Sequence, residues 1–329
     1  MAMAAAMRQA ESHHFLRHGG RLDAARAAWP DAPGPWIDLS TGINPKPWQP
    51  AAPIPHDLGP LPDAGALLAL EAAAAAHFGV AAERVAAVPG SEIALRLLPA
   101  IGLPEPIGSV GPGYRTHRDV ARGSGEPRTL LLANPNNPDG RLHRPDALLA
   151  LVEQQRGREG WLVVDEAFAD VHEGAGIAAP LTPDDPVIVL RSFGKFFGLA
   201  GLRLGFVIAP PAVLARFRAY LGDWPVSAQA IAWGTAAYAD GSWIADTRAS
   251  LREQAGRLDA LLRRHGLEAQ GACPLFRLVD HRDAGAVFER LSRRGILTRP
   301  FEDRPSWLRF GLPADGAAFD RLDKALAGG

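Results

Sequence analysis

The chain has 329 residues, 47% hydrophobic and 22% charged, and its formal net charge is -1. That is enough apolar material for a large core and for two or three domains, without the concentrated basic charge of a nucleic-acid binder. A single cysteine, Cys273, excludes an intrachain disulfide and a metal cage built from cysteines, and it suits a reducing compartment.

Residues 1–7 are Ala-rich, with no basic leader and no longer apolar run behind them, so no signal peptide is expected there. Residues 1–40 read as an irregular arm. Residues 43–61 are rich in Pro and lack periodicity, which predicts an extended, turn-rich segment. Asp63 is a candidate N-cap for a helix ending at Phe78, with Gly79 as its stop. This most apolar stretch contains Glu71 and His77 and is shorter than the roughly 20 residues a membrane span needs. A cytoplasmic protein is expected.

A second helix starts near Ser91. Residues 129–132 read as a buried strand, and 145–155 as a helix with Pro145 in its first turn. The short apolar runs 161–165, 186–191 and 204–209 suit strands covered on both faces. Strands alternating with helices predict an α/β fold with a mostly parallel sheet. Later, 242–265 reads as one long helix, with Leu251, Leu258, Leu261 and Leu262 on its apolar side. A strand (275–279), a helix (283–293), two short strands around Thr298 and Leu308 and a last helix complete a smaller α+β domain. The expected division is an arm over 1–40 that joins the small domain, a large domain over 41–225 and a small C-terminal domain over 226–329.

The residues with chemistry sit at strand ends. Ser192-Phe193-Gly194-Lys195, followed by Arg203, comes directly after the strand at 186–191. Open α/β sheets place their active sites outside the carboxyl ends of strands. A lysine there, between Gly194 and Gly198, suits imine formation; alone, it equally fits a surface lysine. Ser192 and Arg203 suit a phosphate, one as a neutral donor and the other as a fork.

Asn134-Pro135-Asn136-Asn137-Pro138-Asp139-Gly140 follows the strand at 129–132. Such residues build turns, yet two Asn-Pro pairs ending in Gly are unusual for a bare turn. The strand at 161–164 ends in Asp165-Glu166-Ala167-Phe168, where an acid pairs with a protonated ring nitrogen or caps a helix. Pro89-Gly90-Ser91-Glu92 joins a tight turn to a helix start, which fits an anion site or a plain cap.

In this order and spacing the motifs resemble the class I/II aminotransferases, pyridoxal 5'-phosphate (PLP) enzymes of fold type I, over roughly residues 42–312. The resemblance implies PLP as cofactor, held by Lys195 as a Schiff base, with Asp165 at the pyridinium nitrogen and Asn137 at the ring's phenolic oxygen. It implies a phosphate site of Gly90, Ser91, Glu92, Ser192 and Arg203, with Glu92 contributing its backbone N–H, and Tyr114 stacked on the ring. It assigns Arg309 to the substrate carboxylate and implies a homodimer. Three departures stand out. Phe168 replaces the family's tyrosine after the Asp, and Leu61 replaces a tyrosine that reaches across the dimer. The span from Tyr114 to Thr129 is short, as if an edge strand were lost.

PLP motifs do not select the reaction. The opening His18-Gly19-Gly20, the Asn44-Pro45 segment, the Asp-Glu-Ala-Phe variant and the run from Ser192 to Gly205 are together similar to one subfamily, the threonine-phosphate decarboxylases of cobalamin biosynthesis. That similarity implies decarboxylation of a small phosphorylated amino acid, L-threonine O-3-phosphate, to (R)-1-aminopropan-2-ol O-phosphate. It also implies substrate contacts from His18, Gly19 and Asn44; Arg299 is a candidate for the substrate phosphate. The alternative is a phospho-amino-acid aminotransferase of the histidinol-phosphate type. No metal, nucleic acid or membrane partner is expected.

Overall fold

The computed structural model describes Phe15 and residues 18–328; the Ala-rich opening at 1–7 and most of the proposed arm before His18 lie outside these residues. The chain forms two compact units. One comprises Pro47–Asn137 and Arg141–Arg248; the other comprises the segment ending at Lys46, Pro138–Gly140 and Ala249–Gly329.

The larger unit is built on a six-stranded sheet. Helix α1 (Ala64–Phe78) precedes β1 (Val85–Val88), and α2 (Ser91–Leu97) leads to β2 (Ile107–Ser109). Helix α3 (Arg115–Val120) then precedes β3 (Thr129–Ala133), and α4 (Pro145–Arg156) precedes β4 (Trp161–Asp165). Strand β5 (Val187–Ser192) runs into the single turn α5 (Phe193–Phe196), followed by β6 (Gly205–Ile208), α6 (Pro211–Leu221) and α7 (Ala228–Ala239). The sheet order is β1-β6-β5-β4-β3-β2. Strands β2 to β5 pair in parallel, and β6 lies antiparallel to both β5 and β1. Burial covers every residue of β1 and β6 and nearly all of β3 to β5, as expected where helices cover both faces.

Local chemistry sets α1. The Asp63 side chain accepts the Ala66 N–H, and Gly79 adopts φ +69°, a left-handed stop. The large unit continues through Arg248, beyond the expected boundary at 225/226. The cause is the packing of α7 on α1: Gly234 lies so close that a Cβ there would stand 2.8 Å from Leu70 Cδ1 and 2.6 Å from Leu204 Cδ2. Between Tyr114 and Thr129 the chain forms α3 and a bridge from Arg122 to Ile107, and β2 is the edge strand.

In the smaller unit, Trp307–Gly311 pairs antiparallel with Phe276–Asp280 and with Arg299–Pro300, and Ala269–Gln270 completes a four-stranded sheet. The arm is not irregular throughout, which corrects the expectation for 1–40. Leu22–Ala28 is helical, and Ile37–Asp38 pairs in parallel with Ile296–Leu297. Apolar packing fixes it: Phe15 and Ala25 are buried with Leu297, flanked by Trp29, Trp36 and Phe288. No described helix is long and apolar enough to cross a membrane.

Candidate active site

The carboxyl ends of β3, β4 and β5 deliver Asn137, Asp165, Ser192 and Lys195, and the turn after β1 delivers Gly90, Ser91 and Glu92. These residues line one cavity with Tyr114, Phe168 and Arg203. All nine positions expected to bind the cofactor therefore lie around a single space within the large unit.

Close backbone approaches shape one end of this cavity. Gly90 has φ +89°, and a Cβ there would stand 2.8 Å from Arg203 Nη2. Arg203 itself is left-handed, at φ +54°, a conformation that costs a non-glycine residue energy. A Cβ on Gly205 would stand 2.6 Å from the Ser91 nitrogen. Strand β6 thus presses against the first turn of α2, and the Arg203 guanidinium faces the same turn. The Glu92 carboxylate is taken up elsewhere: it accepts from Thr116 Oγ1 at 2.9 Å and from Arg96 Nε at 2.8 Å.

At the other end lies Asp165, 5% exposed. Its Oδ1 accepts the Ala167 N–H at 3.1 Å, and its Oδ2 is 2.9 Å from His117 Nε2. His117 is fully buried and meets the Tyr114 ring edge-on, with centroids 5.8 Å apart. Burial, and then the nearby Glu92 charge, push the Tyr114 phenol up to about 12, so the phenol stays protonated. His117 was not foreseen from the sequence. Its position one helical turn after Tyr114 is the only signal, and a lone histidine carries no spacing pattern.

Lys195 Nζ stands over the Phe168 ring, 5.8 Å from its centroid. The phenylalanine that departs from the family pattern thus supplies an apolar face beside the lysine. Within Asn134-Pro135-Asn136-Asn137 the roles divide. Asn134 accepts the His143 N–H at 2.7 Å, and Asn136 donates to the Pro112 carbonyl at 2.8 Å. These two side chains fasten the turn, and Asn137 lines the cavity.

The remaining candidates belong to the smaller unit. Arg299 and Arg309 are direct cross-strand partners, both buried. Like charges placed opposite each other oppose strand pairing, so an anion between such side chains would relieve the repulsion. Arg309 Nη2 donates to the Ser40 carbonyl at 2.9 Å, and Arg299 Nη1 donates to the Phe15 carbonyl. Asn44 is buried, and its Oδ1 accepts the Lys46 N–H at 3.0 Å. His18 is exposed, and Gly19 packs against Ser40.

The cavity combines a buried acid beside a histidine, a lysine just past a strand end, an aromatic wall and a tight helix-start turn faced by an arginine. Those features define a PLP enzyme of the aminotransferase fold. The sequence profile described as "Aminotransferase class I and II" matches residues 116–322, and the chain belongs to that family. Within it, the chain is 42% identical to the threonine-phosphate decarboxylase of Pseudomonas aeruginosa, over 95% of this chain and 98% of that protein. It is 39% identical to the threonine-phosphate decarboxylase of a Sinorhizobium species, over 94% and 97%. The histidinol-phosphate aminotransferase of Thermobifida fusca is 34% identical over 85% and 87%. The crystal structure of L-threonine-O-3-phosphate decarboxylase from Porphyromonas gingivalis superposes with a TM-score of 0.71 at 20% identity, covering 89% of this chain and 98% of that one.

Proposed function

We propose that this enzyme decarboxylates L-threonine O-3-phosphate to (R)-1-aminopropan-2-ol O-phosphate, in the cytoplasm and in service of cobalamin biosynthesis. The observation that carries the reading is similarity at about 40% identity along nearly the whole of two threonine-phosphate decarboxylases. The aminotransferase of Thermobifida fusca is less similar and is covered less fully.

The cavity fits PLP. Arg203, Ser192 and the Gly90-Ser91 turn are the proposed phosphate ligands, Tyr114 the stacking ring and Asn137 the donor to the phenolic oxygen. Lys195 is the anchor. Bound there, PLP supplies an electron sink for the pair left at the substrate's Cα when the carboxylate departs. Asp165 holds a proton at the ring nitrogen, and His117 keeps that carboxylate aimed. Lys195 Nζ is the acid that returns a proton to Cα. Arg309 is proposed to orient the substrate carboxylate, and Arg299 to take its phosphate. The carboxylate gives up its negative charge as it leaves as CO2, so Arg309 must not hold the ground state more tightly than the transition state.

A homodimer is part of this reading. Leu58, Leu61 and Leu68 are 70%, 64% and 64% exposed. Leu58 and Leu61 precede α1 and Leu68 lies on it; large exposed apolar side chains of this kind suit burial against a second copy. Light scattering during size-exclusion chromatography checks the assembly.

The reaction is tested by mass spectrometry of products from PLP-loaded protein and L-threonine O-3-phosphate, with and without 2-oxoglutarate. Aminopropanol phosphate formed without any oxo acid supports the proposal. Glutamate formation that requires 2-oxoglutarate, with the carboxylate retained, assigns an aminotransferase instead. Lys195→Ala should abolish turnover and the cofactor's visible absorbance band.

A further inference from the structure

Ser40 occupies a junction in the smaller unit, and each of its polar groups is committed. Its N–H and its hydroxyl both donate to Asp38 Oδ1, at 2.8 and 2.5 Å. Its Oγ accepts the Gly20 N–H at 2.7 Å. Its carbonyl accepts from Arg309 Nη2 at 2.9 Å. The residue is 2% exposed.

The neighbouring backbone is equally fixed. Leu39 donates to the Leu297 carbonyl at 2.7 Å, and Gly311 donates to the Leu39 carbonyl at 2.7 Å. A side chain at Gly19 would collide with the Ser40 carbonyl oxygen, and its Cβ would stand 2.8 Å from the carbonyl carbon. The arm therefore presses on the carbonyl group that the Arg309 guanidinium uses.

From this geometry we infer that Ser40 is a positioning residue for Arg309, and that the Gly19-Gly20 turn sets the aim of that guanidinium through it. The inference rests on the reading of Arg309 as the group that receives the substrate carboxylate. The chain Gly20 N–H to Ser40 Oγ–H to the Asp38 carboxylate ends on a charge, which strengthens both links. It holds the Ser40 peptide in one orientation, and the carbonyl fixes one arm of the Arg309 fork. Selectivity for ligands with a carboxylate at Cα is then a property of the arm as well as of the arginine. The expected substrate contacts at His18 and Gly19 gain a mechanical counterpart: Gly19 acts on Arg309 through one intermediate residue.

The test compares two phosphate esters that PLP-loaded protein binds without turnover. One is 1-aminopropan-2-ol O-phosphate, which lacks the carboxylate. The other is 2,3-dihydroxybutanoate 3-phosphate, which keeps the carboxylate but has no amine to react. Calorimetry gives Kd for each with wild type, Gly19→Ala, Ser40→Ala and Arg309→Gln. Gly19→Ala and Ser40→Ala should weaken the carboxylate-bearing ligand by about tenfold, the scale of one impaired hydrogen bond to a charged group. The carboxylate-free ligand should change by no more than about twofold. Arg309→Gln should show the same selectivity, more strongly. Equal weakening of both ligands by the Gly19 and Ser40 variants, or no weakening, alongside a selective Arg309→Gln, overturns the positioning role and leaves Arg309 as the carboxylate group. An unselective Arg309→Gln overturns the reading of Arg309 and the inference with it. If Gly19→Ala does not accumulate as folded protein, Ser40→Ala, which adds no atoms, decides by the same criterion.

Discussion

Arg191 Nη1 and Glu166 Oε2 lie 2.9 Å apart across two adjacent parallel strands, and both residues are buried. The pair is placed by the chain's course at the strand ends: Asp165, the last residue of β4, is opposite Leu190, and the N–H of Glu166 just beyond it donates to the Leu190 carbonyl at 2.8 Å. Arg191 also bonds Asp170, whose Oδ1 is 2.9 Å from His77 Nε2, and its guanidinium stands 4.5 Å from the Phe78 ring centroid. The other Glu166 oxygen accepts the Ile177 N–H at 2.6 Å. Glu166 directly follows Asp165, and Arg191 directly precedes Ser192. The network therefore ties together the two strand ends that carry the acid and the lysine of the cavity.

Removing the cation should be costly. Arg191→Met leaves Glu166 and Asp170 buried without their shared partner, and breaking a buried pair from one side costs about 3–5 kcal/mol. Urea denaturation of the variant should show the loss; a decrease under about 1 kcal/mol would mean that the network contributes little to stability.

The same network predicts an acid limit. Burial alone would push the Asp170 carboxyl up, but the Arg191 guanidinium and the His77 imidazole outweigh it and hold the carboxyl at about 2, against an ordinary value of 3.8. A lowered folded value gives stability that is present above about pH 4 and lost as the pH falls towards about 2. The amount is on the order of 2 kcal/mol. Glu166 runs the other way, since burial outweighs Arg191 and raises its carboxyl above 4.5, so it does not share that window. Thermal melts across the window should decline less steeply for Asp170→Asn than for wild type; parallel declines would remove Asp170 as the cause.

His117 is expected to act through Asp165. His117→Phe keeps a ring against Tyr114 but removes the group 2.9 Å from Asp165 Oδ2. Loss of a hydrogen bond to a charged group is worth about 1.5–3 kcal/mol, so PLP affinity should fall by at least tenfold. Equilibrium titration of the cofactor's visible absorbance measures it, and an unchanged Kd would show that Asp165 needs no help.

Gly194 sets the lysine's approach. A Cβ there would stand 2.6 Å from Ala200 Cα and 3.1 Å from the Ala200 nitrogen, both backbone atoms with little room to yield. Overpacking of this kind costs about 1–3 kcal/mol. Gly194→Ala should lower both the melting temperature and turnover, and a variant with wild-type values of each would show that the Ala200 turn moves freely.

How far these features were legible depended on whether their cause was local. Helix α1 could be read from Asp63 and Gly79 because a cap and a stop act on their own backbone. The strands that end at Asp165 and Ser192, and the one that precedes Asn137, were visible as apolar runs. Strand β1 was not, since Val85-Ala86-Ala87-Val88 is short and small and is a strand only through its pairing with β6. Edge strand β2 has three residues. The arm helix at Leu22–Ala28 is held by Trp29, Trp36 and Phe288, the last of them more than 250 positions away. Neither His117 nor Ser40 belongs to a motif; each matters through a partner supplied by another part of the chain.

The smaller unit joins residues up to Lys46 with residues from Ala249 onward. During synthesis the ribosome releases the Leu22–Ala28 helix and the Ile37–Asp38 strand early, but their partner at Ile296–Leu297 emerges some 250 residues later. The larger unit, whose two segments lie between, can complete its core first. The arm must therefore wait, unpaired and with its aromatic residues uncovered, for almost the whole time of translation. Chaperone dependence and early proteolysis of nascent chains should concentrate on that arm.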